Sequence, residues 1–210
     1  MANIFDLFKQ IEKKDAGGNT PVEYIVVGLG NPGLQYGRTR HNAGFLAIDH
    51  LAEEKGVKID RSKFKALVGE AMIAGKRVLL MKPQTFMNAS GEAVAEAARF
   101  YKCPVEKIIV ISDDFLLDVG RLRVRRNGTH GGHNGLKSVQ RGLASTEYPR
   151  IRIGVGQKPH PDYDVIDWVL GNFSDMDLEK LKERFPTVIL GIEKIVSGDI
   201  DGAMQCCNGK

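Results

Sequence analysis

Residues 24–45 read YIVVGLGNPGLQYGRTRHNAGF. An apolar run without alternation enters a glycine-rich turn. From about Thr39 to Lys55 apolar residues return at helical spacing, at Phe45, Ile48, Leu51 and Ala52, until Gly56. A short continuous apolar run bounded by turn residues predicts a buried strand, and the later spacing predicts a helix. The stretch therefore predicts strand, turn, helix, the opening unit of an α/β sheet.

Gly28-Leu29-Gly30-Asn31-Pro32-Gly33 fits the G-x-G-x-x-G spacing of a dinucleotide loop. Such a loop needs its last glycine to open a helix, then a second strand with an acid about 20 residues on. Here Pro32 and Gly37 interrupt, the helix starts late, and Asp49 lies inside that helix. The context argues against a nicotinamide cofactor. What the glycines do provide is bare backbone at a strand end, where open α/β sheets place ligands. Asn31 can present both a donor and an acceptor there.

Outward from this unit, strands alternate with helices. FKALVGEAMI and KRVLLMK, joined at Ala74-Gly75, read as paired strands. Residues 86–102 read as a helix, KIIVISD at 107–113 as a second central strand, and RLRVRR as a strand with a basic side. GGHNGLKSVQRGL turns from loop into helix, PRIRIGVG is a strand, YDVIDWVLG a short helix, and 174–197 one longer helix. The expectation is a single-domain α/β sheet covered by helices on both faces. An amphipathic segment, IFDLFKQI at 4–11, precedes the linker DAGGNTP.

The chain has 210 residues and a formal charge of +4. No apolar stretch is long enough to span a membrane. Cys103, Cys206 and Cys207 form neither a disulfide framework nor a zinc pattern, which fits a reducing cytoplasm. The charge is uneven. Residues 121–160 carry nine Lys or Arg and a single acid, Glu147, so this segment is +8 and the rest of the chain −4. A local field of one sign suits a polyanionic partner, although acids from elsewhere in the fold can also balance it.

Polar groups cluster at the expected strand ends and helix starts: Asn31 and His41, Asn88 in KPQTFMNASG, Asp113 and Asp114, and His130, His133 and Asn134 in NGTHGGHNGL. Histidine is the natural base near neutral pH, and a carboxylate fixes its tautomer. A His–Asp pair without an activated serine points to an activated water, with asparagine amides holding a carbonyl or oxyanion. Taken singly, each has a plainer reading. Asn88 can cap a helix, His133 can serve the loop, and His41 can simply start a helix. His130-x-x-His133 with nearby acids is weak metal-site evidence, since neither HExxH nor CxxC is present.

The motifs GLGNPGLQYGRTRHNAG, KPQTFMNASG, IVISDD and GGHNGLKSV, in this order, resemble the bacterial-type peptidyl-tRNA hydrolase family, and RIRIGVG and DWVLGNF extend the likeness over roughly residues 23–198. The resemblance implies a monomeric three-layer α/β/α sandwich with a mixed, mostly parallel sheet. It implies a catalytic domain at 21–210 after an extension at 1–20. It implies cytoplasmic hydrolysis of the ester between a peptide and the 3′ ribose of tRNA, with no cofactor, metal, DNA or membrane partner. By that likeness His41 is the general base, Asp113 orients it, and Asn31 and Asn88 hold the peptide backbone and the attacked carbonyl. Tyr36, Met87, His133 and Asn134 bind substrate, and Arg123 and Arg125 meet tRNA phosphate. Ser112 stands where the family usually has histidine, and DDFLLDVG replaces its usual turn. A non-hydrolytic RNA-binding protein of the same fold is the alternative.

Overall fold

The computed structural model describes residues 20–209. The amphipathic segment expected at 4–11 lies outside them. In chain order come strand β1 (Tyr24–Gly28), helix α1 (Ala43–Glu54), and strands β2 (Arg61–Lys63), β3 (Ala66–Ile73) and β4 (Lys76–Pro83). Helix α2 (Ser90–Tyr101), β5 (Ile108–Asp114), β6 (Leu122–Arg125), α3 (Asn134–Leu143) and β7 (Arg150–Gly154) follow. Four helices close the described chain: α4 (Val165–Leu170), α5 (Asp175–Lys182), α6 (Phe185–Val196) and α7 (Ile200–Cys207).

The seven strands form one sheet in the order β2-β3-β4-β1-β5-β7-β6. β1 pairs in parallel with β4 and β5, and β5 with β7, while the outer pairs β2/β3, β3/β4 and β6/β7 are antiparallel. The central strands are apolar on both sides because both faces are covered. Ile25, Val26 and Val27 are fully buried. Val26, Ile109, Ile111, Ile151 and Ile153 pack against α1, α6 and α7. Ile25, Val27, Ile108 and Val110 pack against α2 and α3. Each such side chain taken fully from water contributes about 1.5–3 kcal/mol before entropy is charged.

The structure corrects the reading of residues 174–197 as one helix. The segment breaks at Glu183-Arg184, and Pro186 lies in the first turn of α6. Proline has no N–H to donate inside a helix but is well accommodated at a helix start. The C-terminal helix α7 and the short charged edge strand β2 carry no readable signal in the sequence, because each is too short to show a clear period.

Gly28, at the end of β1, and Gly44, in the first turn of α1, serve backbone contact. A Cβ on Gly28 would overlap the Gly44 carbonyl oxygen, and one on Gly44 would lie 2.5 Å from the Leu29 nitrogen. Strand β1 and the start of α1 therefore touch backbone to backbone, which draws the preceding turn against the end of the sheet.

Candidate active site

The strands β4, β1, β5 and β7 run in parallel, so the connections that leave their C-terminal ends meet along one edge. The turn after β1 brings Asn31 and His41, that after β4 brings Met87 and Asn88, β5 ends in Asp113 and Asp114, and the chain after β7 brings α4. Together they line a cleft with a cavity volume of about 270 Å³.

His41 lies in a tight turn, Arg40–Asn42, directly before α1. Its Nδ1 is 2.9 Å from Asp113 Oδ1. His133 Nε2 is 2.8 Å from the same oxygen. The hydrogen-bond network assigns both tautomers. His133 Nδ1 accepts the Leu136 N–H at 3.2 Å, so its proton lies on Nε2 and is donated to Asp113. His41 donates from Nδ1, which leaves its Nε2 lone pair free. Burial alone would raise the Asp113 carboxyl. The electrostatic attraction and hydrogen bonds of His41 and His133 outweigh that and hold it well below the usual carboxylate range.

His133 thus caps α3 and lines the cleft at once. Its approach is built by the sheet. β6 runs antiparallel to β7, so its end lies far from the cleft, and residues 126–133 must return across the sheet face. Arg150 pins that return. It is 2% exposed, donates to the Thr129 and Thr146 carbonyls at 2.8 and 3.1 Å, and stacks 4.4 Å from the Tyr148 ring centroid.

Asn31 is held from three sides. Its N–H donates to Asn42 Oδ1 at 2.8 Å, and Asn42 Nδ2 donates back to its carbonyl at 3.0 Å. Its own Oδ1 accepts the Met87 N–H at 2.8 Å, which leaves Nδ2 as the donor toward the cleft. Met87 is buried, whereas Asn88 and Asn134 are exposed at the cleft. Asn88 does not cap α2, whose N-cap is Ala89 without a side-chain bond. Phe86, just before, has φ +56°, strain of about 1–3 kcal/mol for a non-glycine residue, and projects its ring at the cleft mouth. Tyr36 stands outside the lining and packs edge-on against Phe86, with centroids 6.4 Å apart.

One wall of the cleft is apolar: Phe115, Leu116, Val165, Ile166, Val169 and Leu170. Leu116 and Ile166 are 62% and 57% exposed, so this apolar surface faces the opening. Sequence alone does not mark these residues or Asn42, because apolar side chains in a loop or a six-residue helix, and an amide in a tight turn, carry no spacing signal for a site. The fully buried Ser112 Oγ has no hydrogen-bond partner.

Among the described residues, His41, Asp113 and His133 form the single cluster of metal-type donors within 4.8 Å of one another. Those donor atoms are engaged with each other and, at His133 Nδ1, with a backbone N–H. His130 stays outside the cluster, and its Nδ1 accepts the Gly132 N–H.

The nine cations of 121–160 do not form one surface. Arg150 is buried, Arg152 pairs with Asp114 at 2.9 Å, and Arg126 pairs with Asp201 at 2.7 Å. Arg123 lies opposite Arg152 and Arg125 opposite Arg150 in the β6/β7 register. Leu122 and Val124, between them, are buried in the core on the other face. The arginines therefore stand on the face crossed by the 126–133 return. Directly opposed like charges repel, so this block favours an anion.

A family model described as peptidyl-tRNA hydrolase matches residues 25–210. A relative named peptidyl-tRNA hydrolase from Caldicellulosiruptor bescii is 51% identical over 90% of this chain and 98% of its own length. Another of that name from Clostridium botulinum is 48% identical over 89% of this chain and 96% of its own. The crystal structure of peptidyl-tRNA hydrolase from Acinetobacter baumannii aligns with a TM-score of 0.83 at 32% identity, over 92% of this chain and 98% of that one. On sequence and fold together, this chain belongs to the peptidyl-tRNA hydrolase family.

Proposed function

We propose that the protein hydrolyses the ester joining a peptide to the 3′ ribose of tRNA. The observation that carries this reading is the His41–Asp113 pair, with the free Nε2 of His41 beside a cleft lined by Asn31, Asn88 and Asn134. His41 Nε2 takes a proton from water as the oxygen attacks the ester carbonyl. The anionic Asp113 steadies the imidazolium. The amide Nδ2 groups of Asn31 and Asn88 meet the developing oxyanion. The imidazolium then returns its proton to the departing ribose oxygen, giving free tRNA and a peptide carboxylate. Such an ester is already reactive, so a base, oxyanion donors and positioning suffice.

The arginine block at Arg123 and Arg125 supports a phosphate partner. Such contacts supply affinity and register without reading bases. Peptide recognition falls to Met87, Asn134 and the apolar wall, and Tyr36 acts through its support of Phe86. Residues 21–210 serve as the catalytic domain, and the protein acts as a monomer in the cytoplasm.

The test is release of labelled N-acetyl-amino acid from N-acetyl-aminoacyl-tRNA in EDTA, beside the unblocked ester. We expect release from the blocked substrate and much less from the free-amine one. tRNA binding without release would favour the RNA-binding alternative. Release restored only by a divalent metal, with the tRNA folded, would overturn the water–histidine route.

A further inference from the structure

The turn that carries His41 is tied to the far wall of the cleft. Arg40 N–H donates to the Gly171 carbonyl at 3.0 Å, and Phe173 N–H to the Arg38 carbonyl at 2.9 Å. Thr39 and Asn172 form a single antiparallel bridge between these bonds. The Arg40 side chain adds a second tie. Its guanidinium carbon lies 3.6 Å from the centroid of Trp168, and its Nη1 is 3.4 Å from the Trp168 carbonyl oxygen. Trp168 is held on its other side, where Nε1–H donates to the Gly156 carbonyl at 2.8 Å, just past β7.

Trp168 belongs to α4, the helix that supplies Val165, Ile166, Val169 and Leu170 to the cleft. Six residues are too few for a helix to hold itself in water, and within α4 only Val169 is buried. The place of this wall therefore depends on its outside ties, which are the backbone bonds at Gly171 and Phe173 and the grip on Trp168. The arginine that grips it is the residue directly before His41.

We propose that Arg40 and Trp168 are a positioning pair that locks the apolar wall to the turn of the general base and so sets selectivity for the side chain next to the ester. The proposal rests on the hydrolase reading above. A wall held in place rewards a bulky apolar side chain on the acyl residue. Glycine at that position does not reach the wall and is indifferent to the grip.

Trp168 is the only tryptophan in the chain, so its emission reports the contact directly. Arg40→Lys keeps the charge but removes the flat guanidinium that stacks on the ring. In that variant we expect a shifted Trp168 emission and greater acrylamide quenching, with unchanged far-ultraviolet circular dichroism. KM for N-acetyl-leucyl-tRNA should rise roughly three- to tenfold, the scale of a single cation–π interaction. KM for N-acetyl-glycyl-tRNA should stay within about twofold, since that substrate has no side chain against the wall. Trp168→Phe, which keeps a ring but removes the Nε1–H, should show the same split at smaller size. Unchanged quenching in Arg40→Lys would overturn the proposal. So would equal losses on the two substrates, which would reduce the pair to a support of the fold. A wild-type protein that hydrolyses neither substrate would instead sink the hydrolase reading and the selectivity role with it, whatever the quenching shows.

Discussion

The histidine corner and the arginine block lie on the same sheet and are built in opposite ways. At the corner, Asp113, His41, Asn31 and Asn42 are all buried, and each has a fixed partner within 3.0 Å. At the block, Arg125 is exposed and Arg123 half-buried, and among the described residues neither has a carboxylate within ion-pair distance. The difference suits the role proposed for each. Proton transfer demands atoms held in place before the substrate arrives, and buried hydrogen bonds hold them. A phosphate contact works at longer range and tolerates a mobile side chain, so solvated guanidiniums suffice.

The contrast breaks most sharply at His41. His41→Ala should lower kcat by roughly 10²- to 10⁴-fold, the usual worth of a positioned base, while tRNA binding persists. Near-normal turnover by the purified variant would move the base elsewhere. Asp113→Asn should leave the fold intact and misorient the imidazole. It should also alter acid stability. The folded Asp113 carboxyl lies below its unfolded value of about 3.9, so it stabilises the fold above that pH and loses this contribution as the pH falls further. Denaturation midpoints followed from pH 5 to pH 2 should fall less steeply in the Asn variant.

Asn42→Ala tests whether the corner depends on its scaffold. The change strands the buried Asn31 N–H and carbonyl, which costs about 1–3 kcal/mol per unsatisfied group. Activity should fall more than the loss of folded protein explains, because the Asn31 amide is released from its place. Equal falls in activity and folded fraction would make Asn42 a purely structural residue.

A smaller effect is expected at the block. Changing Arg123 and Arg125 together to alanine should raise KM for full-length substrate with little loss in kcat, since the interaction is the same before and during chemistry. The salt dependence of binding should flatten by a slope of roughly 0.7–0.9 for each phosphate no longer neutralised. A short peptidyl ester on the terminal nucleotides should scarcely respond. Equal losses on long and short substrates would show that the arginines support the cleft and do not grip tRNA.

The smallest effect belongs to Ser112. Its buried hydroxyl is unpaired, so Ser112→Ala should be neutral or stabilise by up to about 1 kcal/mol in thermal unfolding, with kcat little changed. A clear loss of activity would mean that this hydroxyl has a partner during the reaction.

Much of the candidate site was legible in sequence because the proposed chemistry is tied to residue type. Asn31, His41, Asn88 and Asp113 fell at expected strand ends and helix starts, and the parallel strands bring them to one edge. His133 shows where that legibility stopped. Loop structure and cleft lining stood as alternatives for it, and the residue does both, with one ring nitrogen on the Leu136 N–H and the other on Asp113. Arg150 is the converse case. In sequence it was one more charge in a basic run, yet it is buried and fastens the return of residues 126–133.

By itself, the sequence determined the alternation of strand and helix, the buried character of β1 and β5, and the polar residues available for chemistry. Those follow from period, breaker residues and side-chain type, all local along the chain. Only the tertiary structure decided that one carboxylate oxygen serves two histidines, that Asn42 holds Asn31, and that Arg40 meets Trp168. His41 and Asp113 are 72 positions apart, and Arg40 and Trp168 are 128. Contacts over such separations depend on strand order and on which face each side chain takes, and no local pattern encodes them.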